Sequence, residues 1–228
     1  MSRIANVVRL HLINRQTFIW MPLIILFGAL ALSILVFALI PYPGPKYGGA
    51  GQAPLWYFFA IGIFSLNLTF PFSQAMSVTR REFFLGTMLT AAAGAVVLAL
   101  LFLLGGWIED LTHGWGLNGY FFRLAWVWEA GPLVAALTYF GLALLLFSLG
   151  FIGATIYRRW GPMAFTVVCS LLGFALVGLV FLLTRLDLWG AVGDFLAGAG
   201  VTSLALMSLG VIVVLSAISY LGLRRATP

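Results

Sequence analysis

The sequence predicts an all-α integral membrane protein, and three observations carry that prediction. Of the 228 residues, 63% are apolar and only 8% are charged. The mean hydropathy is +1.11. Arginine pairs (Arg80-Arg81, Arg158-Arg159 and Arg224-Arg225) recur after every second apolar segment. A water-soluble chain of this size has no means of hiding so much apolar surface, so lipid must solvate most of it. The net charge of +6 would suggest nucleic acid in a soluble protein, but here the arginines cluster beside apolar segments, and no nucleic-acid partner is expected.

A hydrocarbon core about 30 Å thick calls for about 20 helical residues, and six apolar runs of that length are present. The N-terminal segment, 1–18, places Ile4, Val8 and Leu12 on one stripe, with Arg3, Asn6 and Arg9 elsewhere. It is expected to be an amphipathic helix at the membrane interface, with His11 solvated. The first span, about 20–40, stops at Pro41-Tyr42-Pro43-Gly44-Pro45, which cannot continue a helix, and it is expected to be retained rather than cleaved. The others are expected at about 55–76, 84–106, 132–156, 162–183 and 200–223. Pro132 and Pro162 fall in first helical turns, where a missing N–H costs nothing.

Orientation follows from the basic residues. With the N-terminus inside, nine of the twelve (Arg3, Arg9, Arg15 and the three pairs) are cytoplasmic, and only Lys46, Arg123 and Arg185 are outside. Both termini are therefore expected in the cytoplasm, with the chain multi-pass in the cell (inner) membrane. The outer connection from Trp107 to Gly131 holds Trp107, Trp115, Tyr120, Phe121, Phe122, Trp126 and Trp128, too aromatic for a solvated loop. It is expected to form one or two helices lying on the outer surface.

Catalytic signals are sparse. His11 and His113 have no serine or cysteine placed by sequence to form a nucleophile and base, and there is no HExxH, no phosphate-cradling Gly-Lys loop and no Cys/His metal spacing. Cys169 stands inside an apolar run and is read as a buried structural thiol. No metal, no cofactor on this chain and no enzymatic activity are expected. Charged residues are absent from the central parts of the spans, which argues against a proton-coupled carrier. The second span is polar along one side, and Asn67, Thr69, Ser73 and Gln74 are candidates for lining a translocation path.

The connection between the second and third spans holds Ser77, Val78, Thr79, Arg80, Arg81, Glu82, Phe83 and Phe84. A turn needs only charge, whereas this one combines a small polar start, a basic pair, an acid and two aromatics. It is expected to be a short helix parallel to the membrane, with the arginines toward water or a partner and Phe83 and Phe84 toward lipid. With the amphipathic N-terminal helix and six spans, the Thr-Arg-Arg-x-Phe-Phe-Leu-Gly pattern here resembles permease subunits of ABC-2 type exporters.

That resemblance implies that residues 77–84 form the coupling helix that docks on an ATP-binding cassette subunit, with ATP and Mg on that partner. It also implies a second permease subunit and short outer helices before the last span, for which Leu186 to Ala199 is available. The expected function is therefore ATP-driven export of an apolar, amphipathic or peptide-like substrate. The alternatives are a six-span substrate-capturing component of a vitamin-uptake system and a non-transport membrane scaffold or sensor.

Overall fold

The computed structural model describes residues 3–224; Arg225 and the first two residues of the expected interfacial helix lie outside the described residues. The protein is all-α, 87% helical. Five helices are long and apolar enough to cross a membrane. Helix α1 (Arg3–Ile13) leads into α2 (Gln16–Leu39), whose first turn, Gln16–Trp20, is a π-turn. At its end Ile40 turns extended (φ −84°, ψ 112°) ahead of Pro41, as a residue preceding proline must.

Helix α3 (Gly49–Ala75) widens into a π-turn at Ser65–Thr69. Pro71 explains the irregularity, because an α-helix would pair the Asn67 carbonyl with the N–H of residue 71, which proline lacks. Helix α4 (Arg80–Leu111) follows, then a single turn α5 (Ala125–Trp128), α6 (Pro132–Arg185) and α7 (Trp189–Leu223). Helix α6 is broken at Gly161 (φ 85°, ψ 176°) and α7 at Gly200 (φ 64°, ψ 167°). Both conformations belong to glycine, and Pro162 reinforces the first break.

Two expectations need correction. Residues 77–84 are not a separate helix: Ser77 to Thr79 are a turn, with Ser77 at φ 57°, and Arg80 begins α4 directly. Residues 107–111 of the aromatic segment continue α4, and beyond them only the one-turn α5 is α-helix; the rest folds back on the bundle as a compact cap. The cap includes a two-residue parallel pairing of β1 (Lys46–Tyr47) with β2 (Gly119–Tyr120).

The core lies among α3, α4 and the first half of α6, around Phe58, Leu66, Phe70, Phe83, Phe102, Tyr139, Phe147 and Phe151. Helices α3 and α6 nearly touch backbone to backbone at Gly62 and Gly150, where a Cβ on either residue would enter the other helix's backbone. Close approach through small residues is how helices pack where water supplies no driving force. Helix α1 seats Val7 on Gly86 of α4 in the same way. From residue 161 to residue 204 no side chain is buried, including Cys169, which is exposed rather than core-packed.

Candidate functional site

The segment 77–84 lies at the end of the bundle where the arginines gather. Helix α4 starts with a capping box: the Thr79 hydroxyl accepts from the Glu82 N–H at 3.3 Å, and the Glu82 carboxylate accepts from the Thr79 N–H at 2.9 Å and its hydroxyl at 2.7 Å. Those hydrogen bonds from Thr79 hold the Glu82 carboxyl below the usual carboxylate range, with Arg3, 4.0 Å away, adding to the effect. The turn before the cap is closed by Gln74, whose side-chain amide donates to the Val78 carbonyl at 3.2 Å and to the Ser73 hydroxyl at 3.4 Å.

The two arginines differ. Arg80 is half-buried and donates to the last carbonyls of α7, those of Leu223 and Arg224, so it caps that helix C-terminus and complements its dipole. Arg81 is exposed. Phe83 does not face lipid: it is fully buried, edge-on to Phe70 at 5.1 Å and beside the His11 ring at 5.9 Å. Phe84 packs 5.2 Å from the Tyr220 ring of α7 and 6.1 Å from Phe151 of α6. The start of α4 is thereby joined to α1, α6 and α7 together.

His11, expected in solvent, is buried. Its Nε2 lies 2.9 Å from the Thr87 hydroxyl, and the ring packs against Phe18 and Phe83. Burial pushes its pKa down to about 4, so the imidazole is neutral. Polar contact with Thr87 thus locks α1 onto α4.

Three of the four candidate path residues, Asn67, Ser73 and Gln74, are held by hydrogen bonds within the chain. Ser73 is buried and donates to its own helix at Phe70, Thr69 is buried, and Gln74 closes the turn described above. Asn67 is bound by Arg158, which donates to its carbonyl at 2.9 Å and its side-chain oxygen at 3.3 Å. Arg158 thus supplies a donor to the carbonyl that Pro71 leaves short. A sequence reading that treats Arg158 only as a topological marker misses this, although a proline four residues after Asn67 signals that a carbonyl needs another partner.

At the opposite end, Glu109 is fully buried under the cap. One carboxylate oxygen accepts from Trp115 Nε1 at 2.9 Å and the Phe121 N–H at 2.8 Å; the other accepts from the N–H groups of Phe122 at 2.9 Å and Arg123 at 2.8 Å. Four donors on one carboxylate satisfy a buried charge and fix the loop's path. They seat Phe121 and Phe122 on Phe102 and Tyr139. Asp110 pairs with Arg123, whose guanidinium stands 5.4 Å from the Trp128 ring.

Among the described residues, no group of three or more His, Cys, Asp and Glu side chains is placed to hold a metal ion. Comparison of the chain with protein-family models, with curated proteins and with solved structures returns no match. The functional reading therefore rests on the geometry of the two ends, one a cluster of arginines on backbone carbonyls, the other a sealed aromatic cap.

Proposed function

We propose that the protein is the permease subunit of an ATP-driven exporter of the ABC-2 type, with both termini cytoplasmic and ATP hydrolysed on a separate subunit. The observation that carries this reading is the capped start of α4. It leaves Arg81 open to a partner while Arg80, Phe83, Phe84 and Glu82 tie the same turn to α7, α6 and α1. A push on this turn moves several membrane helices at once, which a coupling element must do. Residues 77–84 act here as a capped turn and first helical turns rather than as a separate helix.

In this reading the chain crosses the bilayer six times. Helix α6, with 54 residues, would be roughly 80 Å long if straight, against a core of about 30 Å, and the break at Gly161 divides it into two crossings. The break at Gly200 leaves the first part of α7, within the segment Leu186 to Ala199, as the short outer helix before the last span. The second permease subunit covers apolar surface on the exposed hairpin, where Leu171, Leu172, Phe174, Val177 and Phe181 have no buried partner face within this chain. The cap packs Phe121 and Phe122 inward, which favours an exporter over a component capturing substrate at its outer face.

The test is co-purification of tagged chain in mild detergent, scored by ATP hydrolysis in the isolated complex. The wild type should bring down an ATPase, and Arg81→Glu should lose it while remaining folded. Recovery of no ATPase with the wild type would favour a scaffold or sensor instead.

A further inference from the structure

Between the Gly161 break of α6 and the C-terminal end of α7 lies a cleft of about 600 Å³, lined by Arg159, Trp160, Ile218, Leu221, Gly222 and Arg224. That volume is within the range of small-molecule sites, about 300–1,000 Å³. Its walls are of two kinds. Arg159 stacks 4.2 Å from the Trp160 ring and Arg224 stands 5.9 Å from the Tyr220 ring. Stacking orients a guanidinium but leaves the N–H groups at its edge for an anion. Trp160, Ile218 and Leu221 are exposed and present indole and aliphatic surface.

The surroundings strengthen the positive field. Arg80 and Arg158 are bound to carbonyl oxygens, which leaves their charge uncancelled. Glu82, the acid of the neighbouring segment, is committed to the Thr79 cap and Arg3. A ligand for this cleft therefore carries negative charge at one end and hydrocarbon at the other. Basic pockets between membrane helices recognise anionic headgroups on this principle, and tryptophan favours the headgroup layer.

We propose that the cleft is a binding site for an anionic phospholipid, its phosphate held between Arg159 and Arg224 and an acyl chain laid along Ile218 and Leu221. Inorganic phosphate would gain nothing from the aliphatic wall, and an acidic protein segment would have to enter the headgroup layer beside Trp160. The site rests on the membrane part of the proposed function and does not require an ATPase.

The experiment is native mass spectrometry of the full chain in neutral detergent, titrated with phosphatidylglycerol or phosphatidylcholine. The wild type should retain phosphatidylglycerol in preference, and excess inorganic phosphate should not displace it. Arg159→Gln with Arg224→Gln should weaken retention about thirty-fold, from about 1 kcal/mol per basic residue near a membrane surface. Arg185→Gln, the loss of one charge at an exposed position outside the cleft, should not change it.

If the double variant is not recovered folded, Leu221→Asp, at an exposed wall position, should abolish retention while Arg159→Lys with Arg224→Lys keeps it. Equal retention of the two lipids by the wild type would overturn the proposal, as would undiminished retention by the double Gln variant or by Leu221→Asp. Displacement by inorganic phosphate would make the site one for free anions. Loss of the ATPase in the double Gln variant with no lipid preference in the wild type would make the cleft a protein contact and refute the lipid assignment.

Discussion

Replacing Glu109 by glutamine should release the aromatic cap while leaving the helices folded. In the wild type each carboxylate oxygen serves two donors, at distances from 2.8 to 2.9 Å. Glutamine keeps one oxygen and puts an amide nitrogen where the other was. Two N–H donors then face an N–H group instead of an acceptor, either the Phe122 and Arg123 amides or the Phe121 amide and the Trp115 indole. Hydrogen bonds to a charged group contribute about 1.5–3 kcal/mol each, so losing two costs about 3–6 kcal/mol. At 1.4 kcal/mol per tenfold, the amides of Phe121, Phe122 and Arg123 should exchange with deuterium roughly a hundred to twenty thousand times faster. Hydrogen exchange followed by mass spectrometry on peptides covering 112–124 reads this directly, and peptides from the core of α4 serve as the internal control. Asp110→Asn, which breaks only an exposed pair with Arg123, should shift the same peptides by less than about 1 kcal/mol equivalent. Exchange in Glu109→Gln within a few-fold of wild type would refute the view that this carboxylate organises the cap.

Three further outcomes follow from the other contacts. Arg81→Glu should dissociate an ATPase partner with stability changed by less than about 0.5 kcal/mol, whereas Arg80→Glu should also lower stability by about 1–2 kcal/mol, because it puts an acid on the carbonyl end of α7; equal thermal shifts for the two variants would count against the split in their roles. Gly150→Ala should push α6 off α3 and cost about 1–3 kcal/mol, seen as a lowered unfolding temperature in detergent, and an unchanged temperature would contradict the close crossing. His11 is neutral when buried, with a pKa of about 4 against 6.5 when exposed, so between those values only the unfolded chain binds the proton. The stability it contributes is complete above pH 6.5 and falls by about 3 kcal/mol as the pH drops toward 4. His11→Gln, which keeps a donor for Thr87, should flatten that part of the stability profile; the same slope in wild type and variant would assign it to other groups.

Much of the helical layout was legible because its causes are local. The proline run from Pro41 ends α2, Pro132 starts α6, and the apolar runs fall within five helices long enough to span a membrane, two of the runs sharing α6. Thr79 and Glu82, three apart, also form a local signal, a capping box, which explains why α4 begins at Arg80 without a preceding short helix. The site contacts were not legible because they join residues far apart in the chain. His11 meets Thr87, Arg158 meets Asn67 and Arg80 meets Leu223, at separations of 76, 91 and 143 residues. No periodicity marks such pairs. Glu109 carries no local signal for the same reason, since its donors lie on a loop that folds back over it. Aromatic content correctly marked the segment 107–131 as unusual, but content alone does not distinguish side chains lying in a headgroup layer from side chains packed under a loop.

The distribution of constraint along the chain bears on how a push at the start of α4 would travel. The bundle of α1, α3, α4 and the first half of α6 is held at one end by Arg158 on Asn67 and His11 on Thr87, and at the other by the Glu109 cap. Those contacts are polar, buried or half-buried, and resist independent sliding of the helices. The hairpin beyond Gly161 is different, since it buries no side chain from 161 to 204 and is bounded by two glycines at positive φ. A positive-φ glycine surrounded by open space, as Gly161 and Gly200 both are, is a joint that neighbouring side chains do not brace. Arg80 connects the capped turn to the far side of the second joint, at the end of α7. Force applied at Arg81 therefore has a stiff path through α4 and a direct one to the C-terminus of α7. The hairpin between the two glycines has no buried side chain to oppose movement against the bundle.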